Sequence, residues 1–135
     1  MACWNIELFR GDDKMGSEEE KVKNLQRAQL LSQQLRALED QLQILERRRQ
    51  EISIALEELK KAEERGENEV YQFLGANILI KKDINSVKTE LEEEITMLDS
   101  RINMLKKQID VGRKELERLL QQLGYVTERV KGSGG

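Results

Sequence analysis

Near the middle of the chain, residues 66–82 run Gly66-Glu67-Asn68-Glu69-Val70-Tyr71-Gln72-Phe73-Leu74-Gly75-Ala76-Asn77-Ile78-Leu79-Ile80-Lys81-Lys82. Two short runs of β-branched, aromatic and aliphatic residues lie on either side of Gly75-Ala76-Asn77, and two such runs joined by a glycine-containing turn predict a β-hairpin. Gly66 suits the left-handed residue that ends a helix. An isolated hairpin is at best marginally stable in water, so other residues must supply a surface on which it packs.

The composition outside this stretch favours long helices. The chain has 135 residues, which indicates one domain; 36% of them are charged, only 4% are aromatic, and there is no Pro or His. A charged chain with helical periodicity and so few aromatic residues is typical of a coiled coil. The absence of proline agrees with this, because proline inside a helix costs about 3 kcal/mol.

Two segments show a sustained heptad pattern, with steps that alternate between three and four residues. We call these apolar positions and the two interruptions among them the core positions. In the first helix they are Ala28, Leu31, Leu35, Leu38, Leu42, Leu45, Arg49, Ile52, Leu56 and Leu59. In the second helix they are Leu91, Ile95, Leu98, Ile102, Leu105, Ile109, Gly112, Leu116, Leu119 and Leu123.

Two heptad helices of similar length with a short connection predict an antiparallel pair. If the connection is centred near Leu74-Gly75, the core positions of one helix fall opposite those of the other. The two interruptions then also find partners: Arg49 lies near Asp99, and Gly112 lies opposite Leu35, where the missing side chain permits a close approach. The predicted fold class is therefore mainly α, a long antiparallel coiled-coil α-hairpin with one β-hairpin at the hinge.

The expected boundaries follow from local signals. We expect residues 1–17 to form a flexible N-terminal extension, residues 18–131 a single domain and residues 132–135 a flexible tail. Within the domain we expect a helix over 18–65, the hairpin over 69–82 and a second helix over 83–125, with Asp83 as its N-cap. Two alternatives stay open for the extension: either Met15 is the true start of translation, or the preceding residues form an apolar tail with a role.

Little in the sequence could carry out chemistry. Without His there is no His-based triad and no Cys/His zinc site, and no glycine-rich phosphate loop is present. Glu18-Glu19-Glu20 and Glu92-Glu93-Glu94 are most simply solvated helix faces. Arg47-Arg48-Arg49, flanked by Glu46 and Glu51, indicates a local ion-pair network rather than a nucleic-acid site. We expect no enzyme, no cofactor, no metal site and no nucleic-acid partner.

The sequence also argues against a membrane protein. No apolar run is long enough for a transmembrane helix, and the first residues lack the basic start and apolar core of a signal peptide. The single cysteine excludes an internal disulfide framework. We therefore expect a cytoplasmic protein without a membrane partner.

The hinge residues resemble the β-type subunit of prefoldin, an archaeal and eukaryotic cytosolic chaperone. The resemblance is strongest over residues 70–81, an apolar strand, a glycine turn, an apolar strand and Lys81; it continues through Val87-Lys88-Thr89-Glu90-Leu91 and covers about residues 18–123. Leu74 stands where the family more often has Val. In this family the α-type carries two hairpins and the β-type one, and residues 66–82 have room for one.

The resemblance implies that hairpins of two α-type and four β-type subunits assemble into a hexamer. Strands with apolar residues on both faces and open edges favour such pairing on physical grounds. The alternative is that these residues pack only on their own helices. The residues assigned to assembly are Val70, Tyr71, Phe73, Leu74, Ile78, Leu79 and Ile80.

The resemblance further implies an ATP-independent holdase that grips unfolded polypeptides with the free ends of its coiled coil and passes them to a group II chaperonin. More apolar residues appear at these ends than the packing of two helices can bury at a frayed end. We call them the tip residues: Val22, Leu25, Leu30, Leu120, Leu123, Tyr125, Val126 and Val130, which Trp4, Ile6, Leu8, Phe9 and Met15 extend if the N-terminal tail is real. The rival hypothesis is a coiled-coil scaffold or tether that joins folded partners.

Overall fold

The computed structural model describes residues 18–124 and contains two long helices separated by one β-hairpin. Helix α1 spans Glu18–Glu64, strand β1 spans Glu69–Gly75, strand β2 spans Ile78–Asp83, and helix α2 spans Ile84–Gln122. This order confirms the predicted fold class. The expectations for residues 1–17 and 125–135 lie outside the described residues.

Hydrogen bonds cap the C-terminus of α1 and the N-terminus of α2, the two helix ends that adjoin the hairpin. Gly66, at φ 88°, follows α1; its N–H donates to the Glu63 carbonyl (2.9 Å), and the Glu67 N–H donates to the Ala62 carbonyl (3.0 Å). This pair of bonds is the Schellman motif, which satisfies carbonyls that a helix end leaves open. At the start of α2, the Ser86 N–H donates to the Asp83 carboxylate (3.1 Å), so Asp83 is the N-cap, as the sequence predicts.

The hairpin is antiparallel and contains one irregularity. Phe73 pairs with Leu79 and Gly75 pairs with Ile78, so Leu74 is one extra residue on β1 that no residue of β2 opposes. The turn consists of Ala76 and Asn77, both with positive φ (48° and 61°). Positive φ at both central residues is the signature of the type I′ turn, whose twist matches that of paired strands.

The described residues fall into two compact units, and residues 41–105 form the one that includes the hairpin. Its centre consists of the buried side chains of Ile52, Leu98 and Ile102. Half-buried core residues from both helices pack around them: Leu42, Leu45, Leu56, Leu91 and Ile95. The heptad pattern therefore identified this core correctly. Nearer the hairpin, Ala62, Ile84 and Val87 are also buried, although the heptad pattern did not include them.

The second unit consists, in its described part, of residues 18–40 and 106–124. Ala28, Leu35, Ile109 and Leu119 are buried there. Gly112 lies against Leu35, as predicted: a Cβ atom built on Gly112 would be 2.6 Å from the Leu35 Cδ2 atom. The glycine therefore permits a contact between the helices that no other residue would permit without a shift.

None of the helices in residues 18–124 is both long and apolar enough to cross a membrane.

Candidate assembly and binding surfaces

The two faces of the hairpin differ in exposure. Tyr71 and Phe73 on β1 lie opposite Lys81 and Leu79 on β2, and this face is open: Tyr71 is 66% and Phe73 61% exposed. Side chains alternate between the faces of a strand, so the residues between them point the other way. Those on the other face are half-buried: Val70, Gln72, Ile80 and Lys82.

The seven residues assigned to assembly are therefore not equivalent. Val70 and Ile80 are half-buried, whereas the other five are exposed. We call these five the hairpin surface: Tyr71, Phe73, Leu74, Ile78 and Leu79. Of these five, Tyr71, Phe73 and Leu79 share the open face, and exposed apolar side chains grouped in this way mark interaction sites in soluble proteins.

One ion pair and one backbone hydrogen bond connect the hairpin segment to α2. The Lys82 ammonium donates to both oxygens of the Glu90 carboxylate (3.0 and 3.1 Å), which joins β2 to α2. The Ile84 N–H donates to the carbonyl of Asn68, the residue that precedes β1 (2.9 Å). These contacts fix the position of the hairpin relative to the start of α2.

Ion pairs between the helices of the hairpin unit fix their register. Arg48 donates two hydrogen bonds to Glu94 (2.8 and 3.1 Å), and Arg49 forms a bidentate pair with Asp99, the partner predicted for it. The hydrogen bond from Arg48 is the main cause that lowers the pKa of Glu94, and that from Arg49 likewise lowers the pKa of Asp99; desolvation opposes both shifts. Bidentate pairs of this kind add geometric specificity.

Arg48 and Arg49 of the arginine triplet therefore have a structural role, because both form ion pairs between the helices. Within α1, Arg48 pairs with Glu51 (3.7 Å), a local pair of the kind predicted for the triplet. The close partners of Arg48 and Arg49 belong to α2. The long side chain of arginine reaches across the helix pair, where a carboxylate presents both oxygens. Arg47 forms no ion pair with any residue of the described part.

The tip residues divide by helix. On α1, Val22, Leu25 and Leu30 are exposed, Val22 at 51% and Leu30 at 56%. Leu120 of α2 and Leu123, just after the end of α2, are half-buried. The remaining tip residues, Tyr125, Val126 and Val130, lie outside the described residues, as do Trp4, Ile6, Leu8, Phe9 and Met15. The structure thus brings exposed apolar side chains of α1 into the same unit as the outer end of α2.

The heptad pattern of the core positions does not predict a further set of exposed apolar residues on the helices. These side chains lie off the core positions and away from both the hairpin and the tips: Ile44, Ile54, Met97, Met104 and Val111. The signal that could have found them is a second heptad spacing, because Met97, Met104 and Val111 are each seven residues apart.

The described residues offer no metal centre. No group of three or more Cys, Asp or Glu side chains within 18–124 is arranged so that it could hold a metal ion. The carboxylates with a lowered pKa, Glu94, Asp99 and Glu115, each accept a hydrogen bond from an arginine, which is the main cause of the shift in every case. These shifts reflect structural ion pairs on solvent-accessible side chains.

A match to a protein family covers most of the sequence. The family model described as prefoldin subunit matches residues 19–126. The crystal structure of the prefoldin beta subunit from Thermococcus strain KS-1 is similar to this chain, with 27% sequence identity over 72% of this chain and 89% of that chain and a TM-score of 0.38. A search of curated proteins finds no match.

Every residue between α1 and α2 is described, and this segment holds one hairpin. The family match covers most of the sequence, so the chain belongs to the prefoldin subunit family, and its single hairpin is the number expected of the β-type.

Proposed function

We propose that this chain is the β-type subunit of an ATP-independent holdase, which binds unfolded polypeptides at the tips of its coiled coil and delivers them to a group II chaperonin in the cytoplasm. Members of its family are chaperone subunits rather than enzymes. The observation that carries the proposal is the hairpin surface, because a plain scaffold needs only a tight turn between its helices.

The hairpin surface supports assembly with other subunits. A two-stranded sheet leaves both outer edges unpaired, and unpaired edges are templates for another strand. Tyr71 and Phe73 present large aromatic rings beside those edges. Each buried aromatic ring contributes strongly to an interface. The partners that satisfy both edges are hairpins of other subunits, in the hexamer of two α-type and four β-type chains that the family resemblance implies.

The exposed tip residues support client binding. Val22, Leu25 and Leu30 present aliphatic side chains that the helix pair does not bury. Unfolded polypeptides expose apolar side chains, so a surface of this kind attracts them without recognising a folded shape. A single tip binds weakly, but several tips on one platform act together through their high effective concentration. Such binding needs neither a deep pocket nor ATP.

Assembly is tested by placing a charge on the hairpin surface. In Phe73→Glu the carboxylate would be buried against the neighbouring hairpin, which is unfavourable without a partner charge. We expect the wild-type chain to form a hexamer with an α-type subunit in analytical ultracentrifugation, and the variant to remain in smaller species with unchanged helical circular dichroism. Val111→Glu, on an exposed site of α2, is the matched control and should assemble normally. Hexamers of Phe73→Glu would contradict the assignment.

Client binding is tested by substitutions among the tip residues. Polar substitutions at Leu120, Leu123, Tyr125 and Val126 should abolish suppression of the aggregation of a chemically unfolded protein, while the hexamer persists. Val111→Ser is the control that should retain full suppression. If the substituted hexamer still suppresses aggregation, the tips do not bind clients. If wild-type hexamers form and suppress nothing, the scaffold hypothesis replaces the holdase.

A further inference from the structure

A group of exposed apolar side chains lies beside the ion pair of Arg48 and Glu94. Ile44 precedes Arg48 by four residues, and Met97 follows Glu94 by three. Residues three or four apart share one side of a helix. Because Arg48 and Glu94 reach each other across the helix pair (2.8 Å), Ile44 and Met97 both lie on the side that this ion pair marks. Met104 continues the same line seven residues beyond Met97.

These three side chains are among the most exposed large apolar residues in the described chain. Ile44 is 60%, Met97 66% and Met104 59% exposed. Single exposed apolar residues are common on protein surfaces. Here, however, three share one side, and Met97 and Met104 are about 10 Å apart along α2, two helical turns. Methionine side chains are flexible and polarizable and adapt to varied apolar partners.

Positive charge without an internal partner lies within this group. Arg47 follows Ile44 by three residues, and Arg101 precedes Met104 by three, so each shares a side with its apolar neighbour. Neither arginine forms an ion pair within residues 18–124. The nearby Glu51 and Glu94 both pair with Arg48.

Negative charge is found at one end of the group, where Glu93 precedes Met97 by four residues. The unbalanced positive charge lies on Arg47, beside Ile44, and on Arg101, between the two methionines. A partner that lies along it would place carboxylates near the two free arginines. We call this side the basic face: Ile44, Arg47, Met97, Arg101 and Met104.

We propose that the basic face docks an acidic amphipathic helix of another protein. Apolar residues that repeat every seven positions would match the spacing of Met97 and Met104, as in a third helix packed along a helix pair. Carboxylates flanking that apolar line would pair with Arg47 and Arg101. This site uses neither the hairpin surface nor the tip residues, so it stands or falls independently of the holdase.

The test uses labelled synthetic peptides of about 20 residues, long enough to form a helix. One peptide carries Leu at heptad positions with flanking Glu, the second has Lys in place of Glu, and the third is a scrambled form of the acidic peptide. Binding to the full-length chain is measured by fluorescence anisotropy at physiological salt. We expect the acidic amphipathic peptide to bind at least about tenfold more tightly than either of the others. Equal binding of the acidic and basic peptides would overturn the proposal, as would equal binding of the acidic peptide and its scrambled form.

Variants of the chain locate the binding. The double variant Met97→Ser/Met104→Ser and the single variant Arg101→Glu should each weaken binding of the acidic peptide at least about fivefold, whereas Met97→Leu/Met104→Leu should retain it. Lys60→Glu makes the same kind of charge change on the other side of the helix pair. Lys60 follows the core residue Leu59, whereas Arg101, like Arg48, precedes a core residue. It should leave binding unchanged. Equal loss in Lys60→Glu and Arg101→Glu would show general charge attraction and refute the site.

Discussion

Gly112 offers the sharpest test of how closely the two helices approach. In the interior of a helix, Gly is less favourable than Ala by about 1 kcal/mol, so Gly112→Ala would stabilise an isolated helix. In this structure, however, the new methyl carbon would lie 2.6 Å from Leu35 Cδ2 and 3.4 Å from Leu35 Cγ. Leu35 is buried, so its side chain has little space into which it can move.

The magnitude follows from two opposing effects. Forcing extra carbon atoms into a packed core costs about 1–3 kcal/mol. Subtracting the gain in helix propensity of about 1 kcal/mol leaves a net destabilisation of about 1 kcal/mol. The sign of this change in the free energy of unfolding is informative, because helix propensity alone predicts that Gly112→Ala stabilises the protein.

Leu35→Ala supplies the matched background. Once the Leu35 side chain is truncated, the nearest remaining atom is Leu31 Cδ1 at 3.8 Å, an ordinary contact. Leu35→Ala itself should cost about 2–3 kcal/mol. Adding Gly112→Ala to that variant should then stabilise it by about 1 kcal/mol, so the two substitutions are coupled by about 2 kcal/mol.

The assay is urea unfolding of all four proteins, followed by helical circular dichroism. The protomer concentration must be the same throughout, because assembly contributes to apparent stability. If Gly112→Ala stabilises the wild-type background as much as the Leu35→Ala background, the close contact between Gly112 and Leu35 does not exist. In that case the glycine would have no packing role.

Three further predictions concern single residues. Glu94 has a lowered pKa, so its ion pair stabilises the fold above the ordinary pKa of Glu, about 4.3, and this stability is lost as the pH falls through the folded-state pKa. Glu94→Gln should therefore reduce the fall in melting temperature that circular dichroism shows at acid pH. Arg49→Leu should raise the melting temperature measured by circular dichroism, since leucine fits a core position and Asp99 remains solvated; a lower melting temperature would show that the ion pair outweighs apolar packing. Gly66→Ala should destabilise the fold by about 1 kcal/mol in urea unfolding because of the positive φ, with Gly66→Asn less harmful; equal stability of all three proteins would contradict the left-handed cap.

The helix pairing could be predicted from the sequence because heptad geometry is rigid. Once the hinge is located, the residue that faces each core position is determined, and this holds also for the two interruptions of the heptad pattern. Arg49 meets Asp99, and Gly112 meets Leu35, as the sequence predicts. A mismatch at either site would have required a shift of the whole register.

The orientation of the hairpin residues could not be predicted in the same way. Leu74 is an extra residue on β1, and this bulge changes the alternation of side chains beside the turn. From the sequence, Val70 and Ile80 look as suited to assembly as Phe73, but the register turns them to the half-buried face.

The basic face escaped the sequence analysis for a related reason. The heptad pattern explains the residues that pack between the helices, and it assigns no role to apolar residues at other positions. Met97 and Met104 repeat at a heptad spacing, but that spacing indicates an exposed apolar line only when their exposure is known. Arg101 likewise becomes informative only when the ion pairs of its neighbours have been assigned.

The proposed holdase activity can be measured by light scattering of a chemically unfolded model protein diluted into this chain, without ATP, with and without an α-type prefoldin subunit. We expect stoichiometric suppression of scattering that improves when the α-type subunit is added, because the hairpins then assemble and several tips act together. Absence of suppression in both mixtures would contradict the holdase and leave a helical scaffold as the function of this fold.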